Sequence, residues 1–278
     1  MNLREACTVL GVSPSGYYAH QHKGQRPRRI QDAALSRQLG AAFAASRGTY
    51  GSPRLRHALR QAGACHGKSR IARLMRQQGL QARPRRRFVP RTTVTDPDAP
   101  GAPNHRLTRP AVTRLNEVWL TDITYLPTAE GFLFLAAEMD LCSRRILGWS
   151  THHSLATELA VQALERALQA RGETPLPELL HHSDRGCQYT SAAFRQRLDR
   201  GQITQSLSRA GNCYDNAPME SFWATLKAEC FGATLPATRA EAHRRVFDYI
   251  ETFYNPTRLH SALGFLSPVN FEKQLQPN

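Results

Sequence analysis

The sequence predicts an α/β protein: a mixed five-stranded sheet with flanking helices, preceded by small all-α helix-turn-helix units. Two observations carry this expectation. Apolar residues keep helical spacing up to about residue 83, whereas strand-like runs begin only after residue 116. The charge divides at nearly the same place. Of 37 Lys+Arg and 22 Asp+Glu, residues 1–100 hold 19 and 4, and residues 101–278 hold 18 and 18. The whole +15 excess therefore sits in the first hundred residues, which points to a polyanion partner for that part. Only four of the basic residues are Lys. Arg dominance suits phosphate recognition through the guanidinium fork, and a GC-rich genome would supply it equally.

Residues 3–20 read as a short helix, a turn at Gly11 and a second helix opened by Ser13-Pro14, since Ser suits an N-cap and Pro a first turn. Ala6, Val9 and Leu10 are expected to share the apolar face. Residues 30–46 form an amphipathic helix with Ala34, Leu35, Leu39, Ala42 and Phe43 on one side. Arg47-Gly48-Thr49-Tyr50-Gly51 breaks it, and Ser52-Pro53 opens a helix to about Ala62. A third runs from about Gly67 to Gln78, with Ile71, Leu74 and Met75 inward and Lys68, Arg70, Arg73 and Arg76 outward. Three short helices with a basic last one fit a helix-turn-helix DNA-binding unit. The same arginines would make an ordinary solvated face on an isolated helix; the charge gathered around them favours DNA. Periodicity is lost over 83–115, where Arg85, Arg86 and Arg87 are suited to track a phosphate backbone at the start of a linker.

After Asn116 come strand-like runs over 118–126, 132–141 and 145–151, then a helix over 155–170 with Leu159, Leu164 and Leu168 among its apolar positions. A strand over 179–183, a helix near 191–200, a strand over 203–207 and a helix from about Pro218 follow; helical pattern resumes over 237–254. Three meandering strands, a helix, then alternating strand and helix describe a mixed α/β domain. That order is the order of the ribonuclease H fold, in which acids on the first and fourth strands come close together. The expected divisions are 1–25, a helix-turn-helix fragment; 28–83, a helical DNA-binding domain; 84–115, a basic and Pro-rich linker; 116–230, the ribonuclease H-like core; and 231–278, a C-terminal helix and tail.

Several classes are set aside. The longest apolar stretch, 131–139, is far short of the ~18–20 residues that span a bilayer. Residues 1–18 lack the apolar core of a signal peptide. The six cysteines are scattered without a CxxC pair, against a zinc site or a disulfide framework and in keeping with a reduced cytoplasm.

Three acids stand where chemistry is plausible. Asp122 interrupts an apolar strand, which is costly unless the carboxylate is paired or metal-bound. Asp184 ends a strand after His181-His182-Ser183 and precedes Arg185-Gly186, whose glycine lets another backbone approach. Glu220 lies on a helix that Asn216 is expected to cap and Pro218 to open, with Lys227 two turns further along the same side. Three carboxylates without a Cys or His set make a hard oxygen site, which selects Mg²⁺ or Mn²⁺. Two such ions about 3.5–4 Å apart would serve an in-line phosphoryl transfer, with Lys227 beside them to hold DNA phosphate. Any of these acids alone would as readily be a cap or an ion-pair member; the words around them decide. Of the remaining polar residues, Asp140 is expected to brace a turn, Glu158 to be a bystander, Asp215 to cap a helix, His181 and His182 to orient the Asp184 loop, and Arg258 and His260 to fix the tail onto the core.

Those words are Trp119-Leu120-Thr121-Asp122-Ile123-Thr124-Tyr125, then His182-Ser183-Asp184-Arg185-Gly186-Cys187-Gln188-Tyr189, then Asn216-Ala217-Pro218-Met219-Glu220-Ser221-Phe222-Trp223 continuing to Lys227. They resemble the three signatures of DDE transposases, above all the OrfB-type products of bacterial insertion sequences, relatives of retroviral integrases. Tyr254-Asn255-Pro256-Thr257-Arg258-Leu259-His260 with Ser267-Pro268 resembles the C-terminal signature of that family, and the region around Tyr50-Gly51-Ser52-Pro53-Arg54 and Arg73-Leu74-Met75 resembles its helical unit. The resemblance spans nearly the whole chain.

It implies that Asp122, Asp184 and Glu220 form the metal-binding triad with Lys227 as companion base, and that the 35 residues between Asp184 and Glu220 are the spacing the family keeps. The implied chemistry is hydrolytic cleavage at an element end followed by attack of the released 3′-hydroxyl on another phosphodiester, by way of a circular intermediate. The implied partners are terminal inverted repeats, target DNA, further copies of the chain in a synaptic complex, and an upstream-frame product to which the chain is often fused. The implied compartment is the bacterial cytoplasm beside the nucleoid. Two alternatives stay open on the residues: a ribonuclease H-like nuclease without strand transfer, and a non-catalytic DNA-binding regulator.

Overall fold

A computed structural model describes residues 2–21, 27–83, 103–106, 111–172, 175–208, 216–232 and 234–275. The chain divides into two compact units, Met1–Arg83 and Pro84–Asn278. Arg85, Arg86 and Arg87, most of the expected linker, and Asp215 lie outside the described residues.

The first unit holds α1 (Leu3–Val9), α2 (Pro14–Gln21), α3 (Pro27–Ala45), α4 (Ser52–Gln61) and α5 (Lys68–Gln77). Helix α1 begins on a capping box: the Asn2 side chain accepts from the Glu5 backbone N–H and Glu5 accepts from that of Asn2, each at 2.9 Å. The expected apolar face of α1 is not the buried one. Val9 and Leu10 are 76% and 73% exposed, and Cys7 is buried instead. A two-turn helix has too little surface for its periodicity to settle which side is covered. The core of the unit is Leu35 and Leu39 of α3, Leu55 and Leu59 of α4, and Ile71, Leu74 and Met75 of α5, as the spacing predicts. Lys68 and Arg76 are exposed. Arg70 and Arg73 are partly buried and both pair with Asp32 of α3, at 2.7 and 2.5 Å, so they strap α5 to α3.

The second unit is built on five strands, β1 (Val118–Thr128), β2 (Gly131–Asp140), β3 (Ile146–His152), β4 (Leu180–Ser183) and β5 (Thr204–Leu207), in the order β3-β2-β1-β4-β5. The first three form an antiparallel meander; β4 lies parallel to β1, and β5 parallel to β4. This is the ribonuclease H topology, with the first and fourth strands adjacent. Gly131 takes φ +104°, which lets the β1–β2 turn close with Thr128 Oγ1 donating to the Gly131 carbonyl at 2.6 Å. The β2–β3 turn is braced by Asp140, whose carboxylate accepts from the backbone N–H groups of Ser143 and Asn116 at 2.8 Å.

Helices α6 (Thr157–Ala170), α7 (Cys187–Thr190) and α8 (Ala192–Arg200) follow, and α6 and α8 cover one face through Ala160, Leu164, Ala167, Leu168, Phe194 and Leu198. Helix α6 approaches β3 so closely that a Cβ on Gly148 would stand 2.3 Å from the Ala163 carbonyl oxygen.

The C-terminal part is no tail. It holds α9 (Ala217–Leu226) with a π-helical extension Lys227–Phe231, α10 (Arg239–Phe247) with a π-helical extension Asp248–Tyr254, and α11 (Pro268–Leu275). The Asn255 amide both donates to and accepts from the Ile146 backbone, at 2.9 and 3.0 Å, and so acts as a further partner for β3. Arg258 is buried with a bidentate bond to Glu229, and Glu272 gathers Arg145, Arg171 and Ser143. Apolar burial alone would leave such a segment free to slide; these directional bonds fix it. Among the described residues, no helix is long and apolar enough to cross a membrane.

Candidate active site

Asp122 stands within β1, opposite Ala137 of β2. Asp184 follows the last residue of the neighbouring parallel strand β4, and Glu220 lies in the first turn of α9. Adjacency of β1 and β4 brings the two aspartates together because both strands run in the same direction. Asp122 is partly buried. Burial and the negative charge of Asp184 push its carboxyl up to about 7; bonds from Trp223 and Ile123 oppose the rise, and Glu220 adds a smaller upward push. Tyr189 feels the same two acids. Its phenol is raised well above the usual value by burial first, then by the charges of Asp122 and Asp184.

Each acid is held by specific neighbours. Asp122 Oδ1 accepts from the Ile123 N–H at 2.9 Å and Oδ2 from the Trp223 indole N–H at 2.9 Å. Asp184 Oδ1 accepts from the Gly186 N–H at 2.9 Å, and a Cβ on Gly186 would come within 3.0 Å of that oxygen, so a larger residue would crowd the carboxylate. Glu220 is exposed. The Lys227 ammonium lies 4.8 Å from the centroid of the Tyr125 ring; burial lowers its proton affinity and the charge of Asp122 raises it. The carboxylate-only donor set and the mutual repulsion of Asp122 and Asp184 fit a hard divalent cation. Among the described residues, no three Asp, Glu, His or Cys side chains stand as a ready-made metal cage.

Several expected roles change. Asn216 occupies the N-cap position of α9 but makes no capping bond; its amide donates to the Thr121 carbonyl at 3.0 Å. His181 shares a 2.9 Å bond with the buried Glu138 of β2, and His182 one of 3.0 Å with Ser206 of β5, so both brace the sheet. Asp140 stays at its turn, and Glu158 is exposed on α6. Sequence reasoning assigned nothing to Trp223 or Tyr189. The available signal was a polar-tipped aromatic lying in the same short word as a candidate acid.

Comparison with known proteins places the chain in a family. Two integrase core domain families match residues 112–213 and 201–268, and an HTH-like domain family matches residues 30–88. An uncharacterized 31 kDa protein of insertion element IS600 from Shigella sonnei is 40% identical over 268 residues, covering 96% of this chain and 97% of that one. The transposase InsF of insertion sequence IS3A from Escherichia coli is 38% identical over 278 residues, covering 98% and 94%. Among solved structures, a simian T-cell lymphotropic virus intasome bound to a PP2A regulatory subunit is similar at 15% identity and a TM-score of 0.43, over 74% of this chain and 66% of that chain.

Proposed function

The chain belongs to the transposases of bacterial insertion sequences, and from that premise we propose that Asp122, Asp184 and Glu220 are its catalytic, metal-binding carboxylates. The family fixes the activity: a polynucleotidyl transferase that acts in DNA transposition and integration. The observation that carries the residue assignment is the parallel pairing of β1 with β4, which sets Asp122 beside Asp184, together with the bond from Trp223 of α9, the helix of Glu220, to Asp122.

Asp122 and Asp184 present their oxygens from adjacent strands, and Glu220 supplies the third carboxylate from α9. Together they would hold two Mg²⁺ or Mn²⁺ ions, which when bound would activate the attacking oxygen and stabilise the leaving one. Lys227 holds phosphate beside them, its ammonium lying over the Tyr125 ring. Lys68 and Arg76 contact DNA from the helical unit, supported by their exposure. Arg70 and Arg73 contribute to the same surface with their guanidinium groups already oriented by Asp32. Arg85, Arg86 and Arg87 extend the grip along the backbone. In the first step water attacks a phosphodiester at the element end and frees a 3′-hydroxyl. In the second, that hydroxyl attacks another phosphodiester, so that one P–O bond forms as one breaks. Several copies would act in one synaptic complex, with or without an upstream-frame product, on chromosomal DNA in the cytoplasm.

The test is a labelled element-end duplex incubated with the full chain and Mg²⁺. Cleaved and then joined products are expected, and Asp122→Asn or Glu220→Gln should lose both by on the order of 10³-fold or more. Hydrolysis without any joined product would leave a nuclease; binding without cleavage would leave a regulator.

A further inference from the structure

We propose that Asn216 and Trp223 are positioning residues that latch α9 onto β1, setting Glu220 in register with Asp122 and fixing the orientation of the Asp122 carboxylate. This rests on the reading of Asp122 and Glu220 as metal-binding acids. Asn216, Glu220 and Trp223 stand at i−4, i and i+3, so all three fall on one side of the helix. The two outer residues are bonded to β1 at consecutive positions: Asn216 Nδ2 to the Thr121 carbonyl at 3.0 Å and Trp223 Nε1 to Asp122 Oδ2 at 2.9 Å. The acid between them is thereby held from both ends.

Packing alone would not do this. Helix α9 buries Met219, Phe222, Trp223 and Leu226, and the Phe222 ring meets Tyr254 at 4.8 Å between centroids. Apolar contact of that kind sets the distance of a helix from a sheet, but it is non-directional and tolerates sliding along the axis. Hydrogen bonds do not.

Asn216 carries a further sign of a dedicated role. It is 8% exposed, forgoes the capping bond that Asn ordinarily makes at an N-cap, and leaves its Oδ1 buried without a hydrogen-bond partner. Its amide makes instead the contact to the Thr121 carbonyl, in the peptide before Asp122. Trp223 is 6% exposed, and its indole has one donor, spent on Asp122. With Ile123 N–H on Oδ1 and Trp223 N–H on Oδ2, each oxygen keeps one lone pair in a fixed direction.

The test compares wild type with Trp223→Phe, which keeps an aromatic ring but removes the N–H, and Asn216→Ser, which removes the amide donor at a position where Ser is a favoured cap. Mn²⁺ affinity of the full chain is read from the electron paramagnetic resonance signal of free ion, with thermal melting and metal-free DNA binding measured alongside. Each variant is expected to bind Mn²⁺ about 10–100-fold more weakly, with DNA binding unchanged and joining activity restored by raised Mn²⁺. Unaltered Mn²⁺ affinity in either folded variant overturns the latch. So does a loss of affinity that excess Mn²⁺ does not restore, or that tracks lowered melting and weakened DNA binding, since both mark a merely structural role. Asp122→Asn serves as the control. If it also binds Mn²⁺ like wild type, the reading of the acids has failed and not the latch alone.

Discussion

The two units treat their arginines in opposite ways. In the second, 20 acids nearly match 22 bases and the decisive pairs are internal: Arg258 with Glu229, and Arg145 and Arg171 with Glu272. In the first, the described acids are Glu5 and Asp32, and both are spent on structure, one in a capping box and the other on Arg70 and Arg73. Through residue 83 the cations outnumber these two acids, 15 Lys+Arg to 2. Where charges balance they cancel inside the fold and position elements; where they do not, the surplus faces outward and awaits a polyanion.

Removing residues 1–83 should break this division most visibly. Affinity for element ends is expected to fall by roughly 10³-fold, with a much shallower dependence on salt, while the far-UV circular dichroism of the remaining unit persists. Unchanged end affinity in the truncated chain would refute the assignment of the surplus to DNA. Next in size is Arg258→Ala. Leaving Glu229 buried with the Tyr249 hydroxyl but without the Arg258 cation should cost about 3–5 kcal/mol in denaturant unfolding, although Arg258 lies in a segment that reads as a tail.

A third outcome concerns pH. Because the Asp122 carboxyl is raised from 3.8 to about 7, the folded metal-free chain keeps a proton that the unfolded chain has released. The resulting stability is full below about pH 4 and is lost as pH rises through about 7. Mg²⁺ should therefore raise the melting temperature more at pH 8 than at pH 6. Asp122→Asn should melt higher than wild type at pH 8 without metal and lose the Mg²⁺ effect. An equal Mg²⁺ shift at both values would contradict the placement of the cation at Asp122. The smallest effect is expected from Arg76→Ala, which should weaken DNA binding evenly across sequences and reduce the salt slope by about 1.

Much of the fold was legible because its elements are long enough for periodicity to speak. The meander, the helix over 157–170 and the three inward residues of α5 stand where spacing put them. The short first helix shows the limit, since two turns give Val9 and Leu10 no way to declare themselves exposed. The candidate acids were legible too, because an Asp inside an apolar strand is costly enough to be conspicuous. Their supports were not. Asn216 has the residue type and position of a cap, yet its amide goes to a strand far earlier in the chain.

By itself the sequence determined the order of strands and helices, the concentration of positive charge in the first hundred residues, and the three short words that hold Asp122, Asp184 and Glu220. Local propensity and composition carry that information residue by residue. Tertiary structure alone decided who meets whom: Arg70 and Arg73 with Asp32, His181 with Glu138, Arg258 with Glu229, Asn216 and Trp223 with β1. A polar side chain offers a donor or an acceptor without saying to whom, and only the packing of distant elements brings one partner within the roughly 3 Å at which the bond forms.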